Sequence, residues 1–241
     1  MRLAGHRGLA SLAPENTLSG ARLAALNHIG WVEFDVQLSA DHVPVIIHDE
    51  TVKRCSNGAQ QVRQLSWQQL QELDFGSWFD AKFKDEKIPS LTQLLSACQT
   101  YNLSLNLELK LYPQDDIQTL CEIVAKTIVF QHFAPDRLIF SSFEHEALVH
   151  LKRLLPNIRR GHLWDDIPAN WAQQLSQIDA FSVHCNYKKL DKATAQAIKQ
   201  AGYELYTYTP NDPRQVDEQW DWGVDMVISD KAQLYANTTK R

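Results

Sequence analysis

The sequence predicts an α/β fold, a (β/α)8 TIM barrel with a small insertion after its second strand, and three observations predict it. The chain has 241 residues, 44% of them hydrophobic and 22% charged, enough for one large barrel core or for two small domains. Eight short apolar segments alternate with amphipathic stretches along it, the rhythm of parallel strands closed by helical crossovers, in barrels of typically about 250 residues. No linker composition and no internal repeat marks off a second domain, so residues 1–241 read as one unit.

Leu3–His6 reads as the first strand and Gly8–Glu15 as a loop. Asn16–Leu26 places Leu18, Ala21, Leu23, Ala25 and Leu26 at helical spacing, with Pro14 just ahead of it. The second strand, Trp31–Leu38, is followed by a turn at Ala40-Asp41 and an extended apolar run, Val43–Ile47, leading to His48-Asp49. Glu50–Lys87 is too long for an ordinary βα loop; with a short helix at Trp67–Leu73 and the aromatic stretch Phe75–Phe83, it reads as the insertion. The rhythm then becomes regular: a helix at Leu91–Thr100, a strand at Ser104–Leu111 and a helix at Asp115–Phe130. Strands are predicted near Arg137–Ser141, Ile158–Leu163, Ala180–His184, Glu204–Tyr208 and Met226–Ser229. Helices are predicted near Glu144–Leu154, Trp171–Gln177, Ala193–Ala201, Pro213–Trp220 and Lys231–Tyr235.

A formal net charge of −5 argues against nucleic acid or an anionic membrane as a partner, since both need a basic surface. Cys55, Cys98, Cys121 and Cys185 are widely spaced and include no Cys-x-x-Cys pair, so reduced, mostly buried thiols are expected. No apolar run reaches transmembrane length, and a strand starts directly after Met1-Arg2, leaving no room for a signal peptide. A cytoplasmic protein without stable membrane association is the expectation.

Two strands depart from the barrel pattern. Barrel strands are buried on both faces and normally read as continuous apolar runs. In Trp31–Leu38, however, Glu33 and Asp35 share one face, about 6.6 Å apart along the chain, while Val32, Phe34, Val36 and Leu38 take the other. In the next strand, Leu105, Leu107, Leu109 and Leu111 alternate with Ser104, Asn106, Glu108 and Lys110. Glu33, Asp35 and Glu108 thus converge as three hard oxygen ligands suited to a divalent cation such as Mg2+ or Ca2+. The competing explanation is a buried ion-pair cluster with Arg7 and Lys110 as counter-ions.

His6 ends the first strand and His48 follows the extension of the second, so both are expected over the same mouth as the acids. Two imidazoles there suit proton transfer, one taking a proton from a nucleophile and the other giving one to a leaving alkoxide. His28, His42, His132, His145, His150, His162 and His184 are read as structural histidines. Arg7 and Lys110 place two cations beside the carboxylates, which fits clamping a phosphate whose charge is shared with a metal.

With these residues in place the chain resembles the glycerophosphodiester phosphodiesterase family. The resemblance rests on His6-Arg7-Gly8, Pro14-Glu15-Asn16-Thr17, Glu33-Phe34-Asp35-Val36, His48-Asp49 with Arg54, Ile88-Pro89-Ser90-Leu91 and Asn106-Leu107-Glu108-Leu109-Lys110. Fainter similarity continues through Ser141-Ser142-Phe143, Tyr208-Thr209-Pro210-Asn211 and Gly223-Val224-Asp225. It implies a (β/α)8 barrel that cleaves a small glycerophosphodiester to sn-glycerol 3-phosphate and an alcohol. His6 and His48 would be its acid/base pair, Glu33, Asp35 and Glu108 its metal ligands, and Arg7 and Lys110 its phosphate contacts. The sequence departs from the family pattern at three points: His42 stands in place of a turn glycine, Tyr208 in place of a common tryptophan, and Ser229-Asp230-Lys231-Ala232 in place of Thr-Asp-x-Pro.

Three other readings compete. Trp78, Phe79 and Phe83 in the insertion would cover an acyl chain in a lysophospholipase D-like enzyme, or form a packed satellite core. A non-catalytic phosphate- or metal-binding barrel would lack one of the two histidines, and both are present. A sugar-phosphate isomerase or aldolase would want a Schiff-base lysine, a role for which Lys110 is badly placed beside acids that hold it protonated.

Overall fold

The computed structural model describes residues 2–237, so Met1 of the predicted N-terminus lies outside the described residues. The elements run β1 (Arg2–Gly5), α1 (Leu18–Leu26), β2 (Trp31–Leu38), β3 (Pro44–Ile46), α2 (Trp67–Glu72), α3 (Leu91–Thr100), β4 (Ser104–Leu109) and α4 (Ile117–Phe130). They continue with β5 (Leu138–Ser142), α5 (His145–Leu154), β6 (Arg159–Trp164), α6 (Trp171–Gln177), β7 (Ser182–Asn186), α7 (Lys192–Gln200), β8 (Glu204–Tyr208), α8 (Asp217–Trp222) and β9 (Met226–Ser229). Eight of these strands pair in parallel, and β1 bonds both β9 and β2, so the sheet closes on itself as a TIM barrel with helices between the strands.

The ninth strand, β3, is antiparallel to β2. Trp31 on β2 pairs with both β1 and β4, and Val36 pairs with both β3 and β4. A strand has only two edges, so β3 continues above β1 along the same edge of β2. The run Val43–Ile47 therefore returns down the barrel wall instead of extending outwards. It brings His48 to the end of β1, where His6 stands. The hairpin turn depends on His42, whose backbone is left-handed (φ +60°), and on Ser39, which takes the Val43 amide on its Oγ at 2.9 Å. A left-handed turn position is where glycine is the least strained choice.

Three apolar layers hold the frame. Inside the barrel, Ala4, Ile139, Tyr206, Met226 and Ile228 plug the space below the acids. Outside, one cluster packs the first helices on β2, β4 and β5, and another packs α6–α8 on β7–β9. The segment after β3 builds a satellite core of its own, with Val52, Cys55, Val62, Leu65, Leu70, Phe75 and Ile88 packed on Val45 and Ile47. Farther along the segment the Phe79 ring meets Trp78 and Phe83 edge to face, each at 5.7 Å, and Glu86 ties the segment to α1 through Ser19 Oγ at 2.7 Å. All four cysteines are buried and free.

The differences from the predicted elements lie at the ends. α1 starts at Leu18 because Thr17 caps it, its Oγ1 accepting the Gly20 amide, while Asn16 is left-handed (φ +57°) and outside the helix. β4 stops at Leu109, one residue short of Lys110. The stretch Pro213–Trp220 splits into a 3-10 turn, Pro213–Val216, followed by α8, and the last predicted helix is a 3-10 segment, Ala232–Asn237. No helix among the described residues is long and apolar enough to cross a membrane.

Candidate active site

The tight loop after β1 places the first group. A Cβ on Gly5 would lie 1.7 Å from the Gly8 carbonyl oxygen, so the chain folds back on itself there. Arg7 is left-handed (φ +50°), and its amide donates to Glu33 Oε2 at 2.9 Å. This turn aims the Arg7 side chain across the barrel mouth, where it donates to Glu15 at 2.7 Å and lies 3.6 Å from Asp35. His6 Nδ1 is 2.6 Å from Asp230 Oδ1, and its Nε2 is 3.8 Å from Glu33.

β2 and β4 supply the acids, Asp35 pairing in register with Glu108. Glu33, Asp35 and Glu108 are 3%, 1% and 8% exposed, so all three carboxylates are withdrawn from water. Each offers an oxygen within 4.8 Å of the others. Asp35 is held by a reciprocal pair with Asn16, whose Nδ2 donates to Oδ2 at 2.9 Å and whose Oδ1 accepts the Asp35 amide at 3.2 Å. Lys110 donates to Glu108 at 2.7 Å and stands 3.9 Å from Asp35 and 5.4 Å from the Phe143 ring centroid.

The electrostatics of this cluster are unbalanced. Burial, together with Asp35 and Glu108, holds the Glu33 carboxyl well above the usual range. Burial and Asp35 push Glu108 up to about 7 against the opposing Lys110. Asp35 alone stays low, because Arg7, His48, Lys110 and the Asn16 amide together outweigh its burial. Three buried acids thus face two fixed cations, and Glu33 Oε1 has no hydrogen-bond partner. A buried carboxylate oxygen without a donor, facing two others at this spacing, fits a divalent cation taking oxygens at about 2.0–2.6 Å. Of the described residues, these are the ones that could hold it.

His48 arrives from β3 with Nδ1 2.7 Å from Asp49. Burial and the cations Arg7 and Lys110 lower its pKa against the opposing pull of Asp35 and Asp49, which favours the neutral ring. Arg54 clamps Asp49 with Nε at 2.7 Å and Glu15 with two nitrogens at 2.6 and 2.7 Å. A chain therefore runs around the mouth, from the His48 ring hydrogen-bonded to Asp49 through the ion pairs of Asp49 with Arg54, Arg54 with Glu15 and Glu15 with Arg7, and it holds Asp49 and Glu15 below the ordinary carboxylate range. The cleft between these groups is about 240 Å³. His6, Arg7, Glu33, His48, Glu108 and Lys110 line it together with the apolar Phe143, Leu163, Tyr208 and Ile228. Asp35 sits directly behind, while Trp78, Phe79 and Phe83 line none of this cleft.

The structure thus brings together all seven residues singled out in the sequence. Sequence reasoning gave no role to Asp230, Asp49, Glu15, Arg54 or Asn211, although the last four stood in stretches that carried the resemblance and Asp230 in one that departed from the family pattern. Asn211 donates to Asp230 Oδ2 at 2.7 Å and accepts the Asp230 amide at 3.0 Å, so it fixes the carboxylate that holds His6. The available signal was the company these residues keep: an acid directly after His48, and an Asn and an Asp near the ends of the last two strands.

The model of the glycerophosphoryl diester phosphodiesterase family matches residues 6–234. The chain is similar to the glycerophosphodiester phosphodiesterase of Caldanaerobacter subterraneus subsp. tengcongensis, 30% identical across 98% of this chain and 96% of that one. Among solved structures, an Oleispira antarctica phosphodiesterase in complex with the product sn-glycerol-3-phosphate superposes with a TM-score of 0.96 at 34% identity, covering 100% of this chain and 97% of that one. A glycerophosphodiester phosphodiesterase from Agrobacterium tumefaciens gives a TM-score of 0.84 at 27% identity, with 98% and 99% covered. The chain belongs to the glycerophosphoryl diester phosphodiesterase family, a family of hydrolases.

Proposed function

We propose that the protein hydrolyses small glycerophosphodiesters to sn-glycerol 3-phosphate and an alcohol, with His6 and His48 as the proton carriers and a divalent cation, Mg2+ or Ca2+, held by Glu33, Asp35 and Glu108. The observation that carries this reading is the meeting of both imidazoles and all three acids at one cleft of the barrel mouth. Asp230 and Asp49 each occupy an Nδ1, which leaves the two Nε2 atoms for substrate. His48, whose neutral form burial favours, takes the proton of the glycerol hydroxyl next to the phosphate as its oxygen bonds to phosphorus. His6, paired with Asp230, gives its proton to the departing alkoxide as the phosphorus–oxygen bond to the headgroup breaks. In the second half the roles reverse: His6 takes a proton from water as it attacks the cyclic phosphate, and His48 returns one to the glycerol oxygen. Arg7 and Lys110 bind the non-bridging phosphate oxygens, and a bound cation supplies further stabilisation of the charge that builds there. Phe143, Leu163, Tyr208 and Ile228 give the glycerol carbons an apolar wall.

A coupled assay of sn-glycerol 3-phosphate release from glycerophosphocholine, glycerophosphoethanolamine and glycerophosphoglycerol tests this. Turnover is expected on at least one, lost with EDTA and restored by Mg2+ or Ca2+. Undiminished turnover after chelation would remove the cation from the reading, and no release from any of the three would remove the activity.

A further inference from the structure

β2 carries a third polar residue on the face of Glu33 and Asp35. Gln37, two residues further on, is 5% exposed. Its Nε2 lies 2.9 Å from each of three consecutive carbonyl oxygens, those of Ile47, His48 and Asp49. An amide nitrogen has two protons, so these three acceptors share two donors. Successive carbonyls of an extended chain point to opposite sides. Turning three of them onto one nitrogen fixes the backbone of the loop that bears His48. Tyr112, just beyond β4, donates its hydroxyl to the same His48 carbonyl at 2.7 Å, and the Ile47 amide donates to the Asp35 carbonyl at 3.0 Å. The backbone of this loop is thus held from the two strands that carry the acids. Its one side-chain anchor beyond them, Arg54 on Asp49, is half exposed.

From this geometry we infer that Gln37 is a positioning residue of the active site, setting the distance between the His48 imidazole and the acid cluster by holding the carbonyls on either side of it. The inference rests on the reading of His48 as a proton carrier. A mispositioning of about 1 Å at a proton-transfer group costs on the order of 10²-fold in rate. A purely structural glutamine would give a different result from a positioning one, because its loss would act whether or not His48 was present.

The test is a double-mutant cycle on the full-length enzyme with its activating cation. Gln37→Met keeps the side-chain length and removes both donors. It is expected to lower kcat by about 10²-fold with KM changed by less than roughly threefold. In a His48→Ala background the same change is expected to cost less than about twofold, because the group it positions is gone. Equal losses in both backgrounds would make Gln37 structural and overturn the inference, as would an unchanged kcat in folded Gln37→Met. If Gln37→Met does not fold, Tyr112→Phe, which removes one donor to the same carbonyl, decides the matter in the same cycle. There a loss of about tenfold that vanishes without His48 supports the inference, and an unchanged kcat refutes it. His48→Ala separates the two levels of the argument: near-normal turnover in that variant fells the proton-carrier role and this inference together. An inactive His48→Ala beside a fully active Gln37→Met fells only the positioning.

Discussion

The two halves of the barrel interior bury polar groups in opposite ways. On β2 and β4 three of the buried groups are carboxylates, Glu33, Asp35 and Glu108, and they are held by counter-charges and by the bonded chain around the mouth. On β5–β8 the groups buried on the inward face, Ser141, Ser182 and His184, are neutral, and the buried Arg160 of β6 gives its guanidinium to backbone carbonyls. Burial and the neighbouring His162 push the fully buried His184 down to about 3, and its Nε2 lies 2.8 Å from Ser182 Oγ. Gly161 makes room for that ring, since a Cβ there would stand 2.3 Å from Nε2. On the outer face of β6, beside His145 of α5, His162 is likewise pushed down, to about 4, and stacks on Trp164 at 4.0 Å. The contrast separates histidines by the company they keep. His6 and His48 each sit beside a carboxylate at the mouth, whereas His162 and His184 have no acid within reach and stay neutral in the core.

The largest expected effect tests this division directly. His6→Ala and His48→Ala should each lower turnover by about 10²-fold or more, while His162→Gln should stay within roughly threefold of wild type. Comparable losses in all three would erase the distinction. Next in size, Arg54→Ala cuts the chain that joins Asp49 to Glu15, and about a tenfold fall in kcat is expected with the melting temperature little changed, since Arg54 is half exposed. A drop in melting temperature with kcat intact would make the chain a stabilising device only.

The two halves should also respond oppositely to pH. Glu108, raised to about 7 from 4.5, binds its proton more tightly when folded, so its contribution to stability is complete below 4.5 and is lost as pH rises through 7. His184, lowered to about 3 from 6.5, contributes fully above 6.5, and that contribution is lost as pH falls towards 3. Melting curves in EDTA should therefore show Glu108→Gln removing part of the loss between pH 4.5 and about 7, and His184→Gln removing part of the loss between pH 6.5 and about 3. An activating cation should raise the melting temperature more at pH 8 than at pH 5, because it competes with protons for the carboxylates. A uniform rise would argue against binding at these acids.

The smallest effect lies outside both halves. The residue just past the C-cap of α1, α3 and α4 is left-handed and not glycine: His28, Asn102 and His132, with φ of +59°, +56° and +50°. His132→Gly should stabilise by about 0.5 kcal/mol, the relief of left-handed strain less the added chain entropy. A destabilised variant would mean that the exposed imidazole makes a contribution of its own.

Local pattern made much of this legible. The eight barrel strands could be read because burial on both faces gives apolar runs, and the acids stood out because they break those runs. The direction of Val43–Ile47 could not be read, since strand polarity is decided by pairing and an extended run carries no arrow. Lys110 was placed with the acids although β4 ends before it, because a long side chain reaches back over one residue. Asn16 lay inside the predicted helix because its left-handed backbone serves Asp35, a partner 19 residues away. His6 and Asp230 are 224 residues apart, a distance over which no periodicity operates.

That last pair sits on the seam where the first and last strands meet, and this has a consequence for how the enzyme comes into being. A nascent chain displays His6, the three acids and His48 within its first 108 residues. It lacks the carboxylate that orients His6 until the segment after β9 has been synthesised and docked. On the role proposed for His6, any product of translation or proteolysis that ends before Asp230 would lack that carboxylate and is expected to be inactive.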